Sequence, residues 1–204
     1  MKTAIVLTLN GWLRRLPTWP LYVLSLLPAP WLFWQGLTGA LGVEPIKELE
    51  HAYGELALQF LIAGLCVTPL RRWVGLNLLK FRRLLGLVAF TYVGLHLAVW
   101  LVLDVQVLAE ILRDIAKRPY ITIGMAGFVL LVPLALTSNN ASIKRLGTAG
   151  WRRLHWLVYP AVVLGGLHYI MLAKGWQLEP LIYMTTILSL LILRVPTKKR
   201  VTAT

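Results

Sequence analysis

The chain has 204 residues, 58% of them hydrophobic, and a formal net charge of +13. Apolar runs of about 20 residues recur along it, each long enough to cross a hydrocarbon core of about 30 Å, which excludes an ordinary soluble domain. The single cysteine, Cys66, lies inside one of these runs, which excludes a disulfide framework and a cysteine-based metal cluster.

We predict an all-α integral membrane protein, folded as a bundle of six transmembrane helices in a single domain over residues 1–204. The expected spans are 19–41, 51–70, 84–103, 120–136, 154–172 and 178–195. Residues 1–17 form a basic entry segment, and Pro28 and Pro30 predict a kink in the first span. No short apolar core is followed by a small-residue cleavage site, so we expect no removable signal peptide.

Two of the segments that connect the predicted spans have a composition that predicts their structure. In residues 104–118, apolar side chains alternate at helical spacing with charged ones, which predicts an amphipathic helix on the periplasmic membrane surface. This helix would brace the bundle or offer a docking surface to a partner. Residues 137–153 are polar and basic with several Asn and Gly residues, which predicts a flexible surface loop.

The charged residues are distributed unevenly between the two sides of the predicted bundle. One side holds 16 of the 21 basic residues, and the other side holds the remaining five and all eight acidic residues. By the positive-inside rule the first side is cytoplasmic, so both termini are expected in the cytoplasm. The net charge is therefore a topology signal, and we expect a lipid bilayer rather than a nucleic acid as the chain's surroundings.

Histidine is the residue type that indicates function within the predicted spans. His96 lies 13 residues after Arg83 and His168 lies 13 residues after His155, so His96 and His168 should lie at the same depth. An imidazole in a bilayer is costly unless it is paired, and haem iron is its usual partner between helices. We therefore predict a b-type haem with His96 and His168 as axial ligands. The alternative is that both rings only hydrogen-bond carbonyls of neighbouring helices.

His155 and His51 are further candidate ligands. Thirteen residues of a straight helix turn through about 140°, so His155 and His168 face different directions unless the helix bends at Pro160 or Gly165–Gly166. Alternatively, His155 serves a second site near the cytoplasmic edge, where the sequence offers no second histidine. His51 falls at the outer mouth of the second span, where a solvated or loop-bonded ring is the alternative to ligation.

Other classes of membrane protein are disfavoured by what the predicted spans lack. We expect no carboxylate and no lysine inside the membrane, with Glu55 and Glu179 assigned to the outer side, which argues against a proton-coupled transporter. The sequence has no glycine-rich dinucleotide fingerprint, so the chain cannot take hydride from a soluble nicotinamide unaided. A haem-free transporter or scaffold and a stand-alone ferric-type reductase are the alternative hypotheses.

Several motifs carry a family resemblance: RRLLGL and TYVGLH in the third span, RPYITIG at the start of the fourth, and WRRLHWLVYP and LHY in the fifth. In these motifs and their order, the chain resembles the haem-binding membrane subunit of the bacterial protein-methionine-sulfoxide reductase system, within the ferric-reductase-like transmembrane group. The resemblance runs from EPIKELEHAYGE to PLIYMTT, which is nearly the whole chain. One difference is that the wider group carries two histidines in its equivalent of the third span, whereas this chain has only His96.

The resemblance implies one or two b-type haems, with His96, His155 and His168 as the histidines that match the iron ligands, and a bound FMN. It also implies a multi-pass protein of the bacterial inner membrane. This protein would pass electrons from a cytoplasmic flavin reductase or a membrane quinol to a periplasmic, molybdopterin-containing methionine-sulfoxide reductase subunit. That catalytic subunit would carry out the final reduction and support the repair of oxidised proteins, so no catalytic residue is expected here.

The phosphate of FMN requires positive charge or helix amino termini. Its candidate contacts are the arginines of the predicted inner loops: Arg71, Arg82, Arg83, Arg152 and Arg153. The positive-inside distribution alone would explain the same arginines without a flavin.

Overall fold

The computed structural model describes residues 2–173 and 177–194, which form helices joined by short turns, with no strand among them. The α-helices are α1 (Lys2–Arg15), α2 (Trp19–Leu26), α3 (Pro28–Leu37), α4 (Pro45–Pro69), α5 (Arg82–Val99), α6 (Leu108–Lys117), α7 (Pro119–Leu136), α8 (Asn140–Leu154), α9 (Val158–Leu172) and α10 (Leu178–Arg194). Single π-helical turns extend α4 at Leu70–Val74 and α5 at Trp100–Val105. Short 3₁₀ turns precede α5 at Leu79–Phe81 and α9 at His155–Leu157.

Among the described residues, four helical segments are long and apolar enough to cross a membrane: Pro45–Val74, Leu79–Val105, Pro119–Leu136 and Asn140–Leu172. These segments correspond to the second to fifth predicted spans, and they support a multi-pass, all-α membrane protein. The first predicted span is divided into α2 and α3, because Pro28 and Pro30 cannot donate helical hydrogen bonds. The sixth corresponds to the 17 residues of α10, and residue 195 lies outside the described residues. The bundle of six spans stays a prediction.

Two helix pairs form the centre of the bundle, with α4 packed along α5 and α7 packed along α9. The buried residues between them are Leu58, Leu61, Leu65, Ala89, Leu131, Leu134, Ala161, Val162 and, from α10, Ile187. At Gly127 the two helices are in close contact, since a β-carbon there would lie 3.6 Å from the Ala161 carbonyl oxygen, an ordinary van der Waals distance. The core therefore holds α5 and α9, the two helices that carry His96 and His168, in one bundle through their packing on α4 and α7.

A second core joins the kinked α2–α3 segment to α4 and α5. The hydroxyl of buried Tyr53 donates to the Ala29 carbonyl at 2.7 Å, and the hydroxyl of buried Tyr92 donates to the Ser25 carbonyl at 2.8 Å. Since both carbonyls belong to α2 or α3, these two bonds attach that segment to the bundle.

The helix α4 begins six residues before the predicted start of the second span. Pro45 is favoured at the beginning of a helix because its missing N–H would be unpaired there, and Glu48 lies in the first turn, where the helix dipole favours negative charge. Glu50 and Glu55 are consequently residues of a candidate membrane-spanning helix. The prediction that the spans carry no carboxylate was wrong for this helix.

The predicted flexible loop at 137–153 is largely helical. Asn139 caps α8, because its side-chain oxygen accepts a hydrogen bond from the Ser142 N–H at 2.8 Å. The helix is interrupted at Gly147, whose φ of +67° is readily adopted by glycine. This connection is therefore an ordered element that leads directly into the segment carrying His155.

The predicted surface helix at 104–118 is observed over a shorter range. The π-helical turn at Trp100–Val105 continues α5 through the first predicted residues, and the chain turns at Gln106 with a positive φ of 59°. The helix α6 then begins at Leu108 and presents one apolar and one charged face. Its position on the membrane surface stays a prediction.

Candidate metal centre

The structure brings His96 of α5 and His168 of α9 together. Their ring centres are 6.1 Å apart, and the ring planes are inclined at 81°. The sequence predicts that both residues lie at the same depth, because His96 lies 13 residues after Arg83 and His168 lies 13 residues after His155, on spans that run in the same direction. The short distance between the rings agrees with that prediction.

Each of these two rings is anchored to a backbone carbonyl of a neighbouring helix. The Nδ1 atom of His96 lies 2.8 Å from the Glu50 carbonyl oxygen, and that of His168 lies 2.7 Å from the Tyr120 carbonyl oxygen. A carbonyl can only accept, so Nδ1 carries the hydrogen in both rings. The Nε2 atoms therefore keep a free lone pair, as is usual for histidines that bind metals.

Two glycines provide the space for these rings. A β-carbon at Gly54 would lie 3.0 Å from Nδ1 of His96, and a β-carbon at Gly124 would lie 2.8 Å from Nδ1 of His168. Each glycine is four residues after the residue whose carbonyl accepts the hydrogen bond, Glu50 or Tyr120. The same arrangement of one carbonyl and one glycine, separated by one helical turn, thus holds both histidines.

The pair fits an iron that needs only two protein ligands. An imidazole nitrogen binds a metal at about 2 Å, so two rings on opposite sides of one metal have centres roughly 6 Å apart. Among the described residues, no group of three or more His, Cys, Asp or Glu side chains could hold a metal ion. A bare ion would therefore lack ligands here, whereas haem iron brings four nitrogen ligands of its own.

Glu50 is an additional polar residue at this centre. A carboxylate oxygen of Glu50 lies 4.0 Å from Nε2 of His96, and its side chain is only 17% exposed. The predicted spans leave Glu50 in a loop, and no motif indicates that the Tyr120 carbonyl has a role. Gly54 follows Glu50 by one helical turn, and Gly124 follows Tyr120 by the same interval. This spacing of a glycine after the carbonyl residue is the signal that could have identified Glu50 and Tyr120.

His51 lies beside Glu50 near the start of α4, and its side chain is exposed. It is close enough to His96 and His168 to interact with both electrostatically, and its role as the reserve haem ligand stays a prediction.

His155 lies apart from the pair, in the 3₁₀ turn that precedes α9. Its Nδ1 is 3.1 Å from the Trp151 carbonyl oxygen, and its ring stacks on the Trp151 indole with centres 3.7 Å apart. The indole N–H in turn donates to the Thr137 carbonyl at 2.8 Å. Nε2 of His155 is enclosed and has no hydrogen-bond partner among the described residues. The third histidine thus also has an anchored Nδ1 and a free Nε2.

A cavity of about 670 Å³ lies beside His155. Apolar side chains of α4, α5 and α7 form much of its wall, together with three of the five arginines predicted as FMN contacts: Arg82, Arg83 and Arg152. Arg71 and Arg153, the other two, are not among its lining residues.

Two further cations line the same cavity, and neither belongs to the predicted set of FMN contacts. Lys80 donates to the Arg14 carbonyl at 2.9 Å, and Arg194 reaches the cavity from the end of α10. The sequence identifies both only as topology signals, because nothing in it indicates which helix ends converge.

The protein-family model described as the ferric reductase like transmembrane component matches residues 51–166 of this chain. The chain belongs to this family of ferric-reductase-like transmembrane proteins. The matched region contains His51, His96 and His155 and ends just before His168.

The similarity to individual proteins is more specific. The protein-methionine-sulfoxide reductase heme-binding subunit MsrQ of Agrobacterium fabrum is 51% identical over 174 residues, which cover 85% of this chain and 80% of that protein. The MsrQ subunit of Brucella anthropi is 49% identical over 177 residues, with 86% and 80% coverage. Within the family, the chain belongs to this group of heme-binding subunits. No solved structure matches the chain.

Proposed function

We propose that the chain is a membrane b-type cytochrome that transfers electrons, with His96 and His168 as the two axial ligands of one haem. The observation that carries the proposal is the pairing of these rings, 6.1 Å apart, each with Nδ1 bonded to a carbonyl. The names of the relatives support it, since they are heme-binding subunits. When bound, haem supplies an iron that changes oxidation state by one electron.

The residues of the chain hold the two imidazoles ready for ligation. The carbonyls of Glu50 and Tyr120 keep the hydrogen on Nδ1 and so leave Nε2 as the nitrogen that can bind iron in each ring. The packing of α5 on α4 and of α9 on α7 maintains the separation of the rings.

A second cofactor site is proposed at His155. Its enclosed Nε2 and the neighbouring cavity suit either a second haem or FMN, so the number of haems is one or two. Arg82, Arg83 and Arg152 are the candidate contacts for an FMN phosphate within the cavity, while Arg71 and Arg153 would act only from outside it.

The proposed electron route crosses the membrane. Electrons would enter on the cytoplasmic side from a flavin reductase or a quinol, and leave on the periplasmic side to a molybdopterin-containing methionine-sulfoxide reductase subunit. The relatives' name, a subunit of protein-methionine-sulfoxide reductase, supports such a partner. The route assumes six spans in the bacterial inner membrane with both termini in the cytoplasm, as the asymmetric charge distribution indicates.

The first experiment is a reduced-minus-oxidised visible spectrum of the detergent-purified protein, with pyridine haemochrome quantification. We expect a sharp b-type α band, at one or two haems per chain. His96→Ala and His168→Ala should each remove one haem equivalent, and His155→Ala should remove the second if two are present. His51→Ala tests the reserve ligand: retention of all haem is expected if His96 and His168 are the ligands, and loss of one haem would assign His51 to it. A colourless protein from haem-replete cells would refute the cytochrome and favour a haem-free membrane protein.

The topology is tested separately with reporter fusions. A periplasm-specific reporter such as alkaline phosphatase should be inactive after residue 204 and active after residue 110, within α6. Activity at both positions, or at neither, would contradict six spans with cytoplasmic termini while leaving the haem ligation unaffected.

A further inference from the structure

The cavity beside His155 is bordered by several cations and, among the described residues, by no acidic side chain. Five basic side chains line it: Lys80, Arg82, Arg83, Arg152 and Arg194. Their described hydrogen bonds go to neutral acceptors, for example from Arg82 to the Thr68 hydroxyl and from Arg83 to the Asn140 amide. Arg194 is half-buried and the other four are exposed, so the cavity presents a concentration of positive charge with no acidic partner among its described lining residues, and it is suited to an anionic ligand.

Arg194 is the most firmly positioned of these cations. Its Nε and one terminal nitrogen donate to the Leu65 carbonyl at 3.0 and 2.9 Å, and that same terminal nitrogen donates to the Gly64 carbonyl at 3.0 Å. The Leu65 carbonyl is available because Pro69, four residues later, has no N–H to donate to it. The proline thus creates an acceptor in α4 that fixes a guanidinium from α10.

Tyr159 connects Arg194 to the histidine. The second terminal nitrogen of Arg194 donates to the Tyr159 hydroxyl at 3.1 Å, which leaves that hydroxyl its own hydrogen to donate. Tyr159 and His155 are four residues apart, so they lie one helical turn apart on similar faces, and both line the cavity. A guanidinium has five N–H donors, and the four described bonds leave one of them uncommitted.

From this arrangement we infer that Arg194 and Tyr159 bind the acidic group of a flat, conjugated cofactor whose body occupies the cavity beside His155. The inference rests on the proposed cytochrome function and adds an anion-binding pair that lies outside the predicted arginine set. The volume of about 670 Å³ suits a cofactor of this class. The acidic group is a propionate if the cofactor is haem, and a phosphate if it is FMN.

The test compares Arg194→Gln and Tyr159→Phe with Arg145→Gln, an exposed arginine that does not line the cavity and has no proposed cofactor contact. Haem per chain is measured by pyridine haemochrome, FMN content by fluorescence after acid release, and FMN affinity by titration of the full-length, flavin-depleted protein in detergent. We expect Arg194→Gln to weaken retention of one cofactor by about tenfold or more, since hydrogen bonds to charged groups are the strong ones. Tyr159→Phe should act on the same cofactor, and Arg145→Gln on neither.

The pattern of loss identifies the acidic group. Weaker FMN binding with unchanged haem supports a phosphate, and loss of the His155-dependent haem with unchanged FMN supports a propionate. Unchanged retention of both cofactors in Arg194→Gln and Tyr159→Phe would overturn the inference. The haem held by His96 and His168 tests the proposed function separately from the inference. Its absence from the unmodified protein refutes the proposed function. Its presence, together with normal cofactor retention in Arg194→Gln and Tyr159→Phe, refutes only the inference.

Because Arg194→Gln also removes the donors to the Leu65 carbonyl, this variant could fail to fold. Loss of the His96–His168 haem would reveal such a failure. Arg194→Lys then replaces it, because an ammonium can still reach the carbonyl but lacks the planar fork that holds an acidic group. A tenfold weakening in Arg194→Lys supports the inference, and wild-type retention in both Arg194→Lys and Tyr159→Phe overturns it.

Discussion

The imidazole of His168 lies so close to Gly124 that a β-carbon on this glycine would come within 2.8 Å of Nδ1. The relationship of His96 to Gly54 is the same, at 3.0 Å. Contacts this short force a neighbour to move, and each ring is already fixed by a carbonyl bond to the same helix. The absence of a side chain at these two positions therefore contributes to the placement of both histidines.

The first prediction concerns these glycines. Gly124→Ala should displace the His168 ring and lower haem occupancy by about tenfold, because repacking around an added methyl group costs about 1–3 kcal/mol. Gly54→Ala should have a smaller effect of the same kind, since its β-carbon would lie farther from the histidine ring. Both are measured by haem per chain and by the position of the α band.

Gly94→Ala is the control for this prediction. A β-carbon at Gly94, on the same helix as His96, would meet nothing within 4 Å. This variant should retain wild-type haem. Equal haem in the Gly94→Ala and Gly124→Ala proteins would contradict the assigned role of the glycines.

A second prediction concerns Trp151 and the site at His155. Trp151→Ala removes both the ring stacked on His155 and the indole bond to the Thr137 carbonyl, whereas Trp151→Phe removes only the bond. We expect Trp151→Ala to lower the occupancy of the His155-dependent cofactor more strongly than Trp151→Phe. Loss of one neutral hydrogen bond corresponds to about 1 kcal/mol, roughly a fivefold change.

Cofactor quantification after purification measures the effect at Trp151, and exposed Trp34→Ala is the control. The haem assigned to His96 and His168 should be unchanged in all three variants. If this haem decreases in parallel with the cofactor at His155, Trp151 acts on the whole fold and not on one site.

A third prediction concerns the attachment of the kinked α2–α3 segment. Tyr53→Phe and Tyr92→Phe each leave a carbonyl of that segment, at Ala29 or Ser25, without its donor. Each variant should lose about 1 kcal/mol of stability, because buried carbonyls without partners are unfavourable. Thermal unfolding in detergent measures the loss as a lower midpoint.

The haem spectrum serves as the internal control for the tyrosine variants, because each tyrosine hydroxyl donates to the α2–α3 segment and not to His96 or His168. The spectrum of the folded protein should therefore be unchanged. An unaltered unfolding midpoint in both variants would show that these hydroxyls do not stabilise the bundle.

A fourth prediction concerns the cap of α8. Asn139→Ala removes the acceptor of the Ser142 N–H and should destabilise the start of the helix by about 1 kcal/mol. Asn139→Asp keeps a side-chain acceptor and should preserve the cap. Hydrogen exchange at residues 141–145 should be faster in Asn139→Ala than in Asn139→Asp. Equal exchange rates in the two variants would argue against the cap.

The sequence by itself determined the class of protein and the pairing of His96 with His168. Hydrophobic runs of membrane-spanning length depend only on composition along the chain. The common depth of the two histidines follows from equal spacing, because the rise per residue of a helix is constant. The family also follows from local motifs, since WRRLHWLVYP and TYVGLH are contiguous in the chain.

Only the tertiary structure decided how the histidines are held and which cations meet. The carbonyls of Glu50 and Tyr120 and the glycines that face the rings come from other helices, so their contribution depends on the rotation of each helix about its axis. The convergence of Arg194 with His155 likewise requires α10 to pack against α4 and α9. Sequence periodicity predicts distances along a helix, but the packing of side chains between helices sets their mutual rotation and thus the contacts across the bundle.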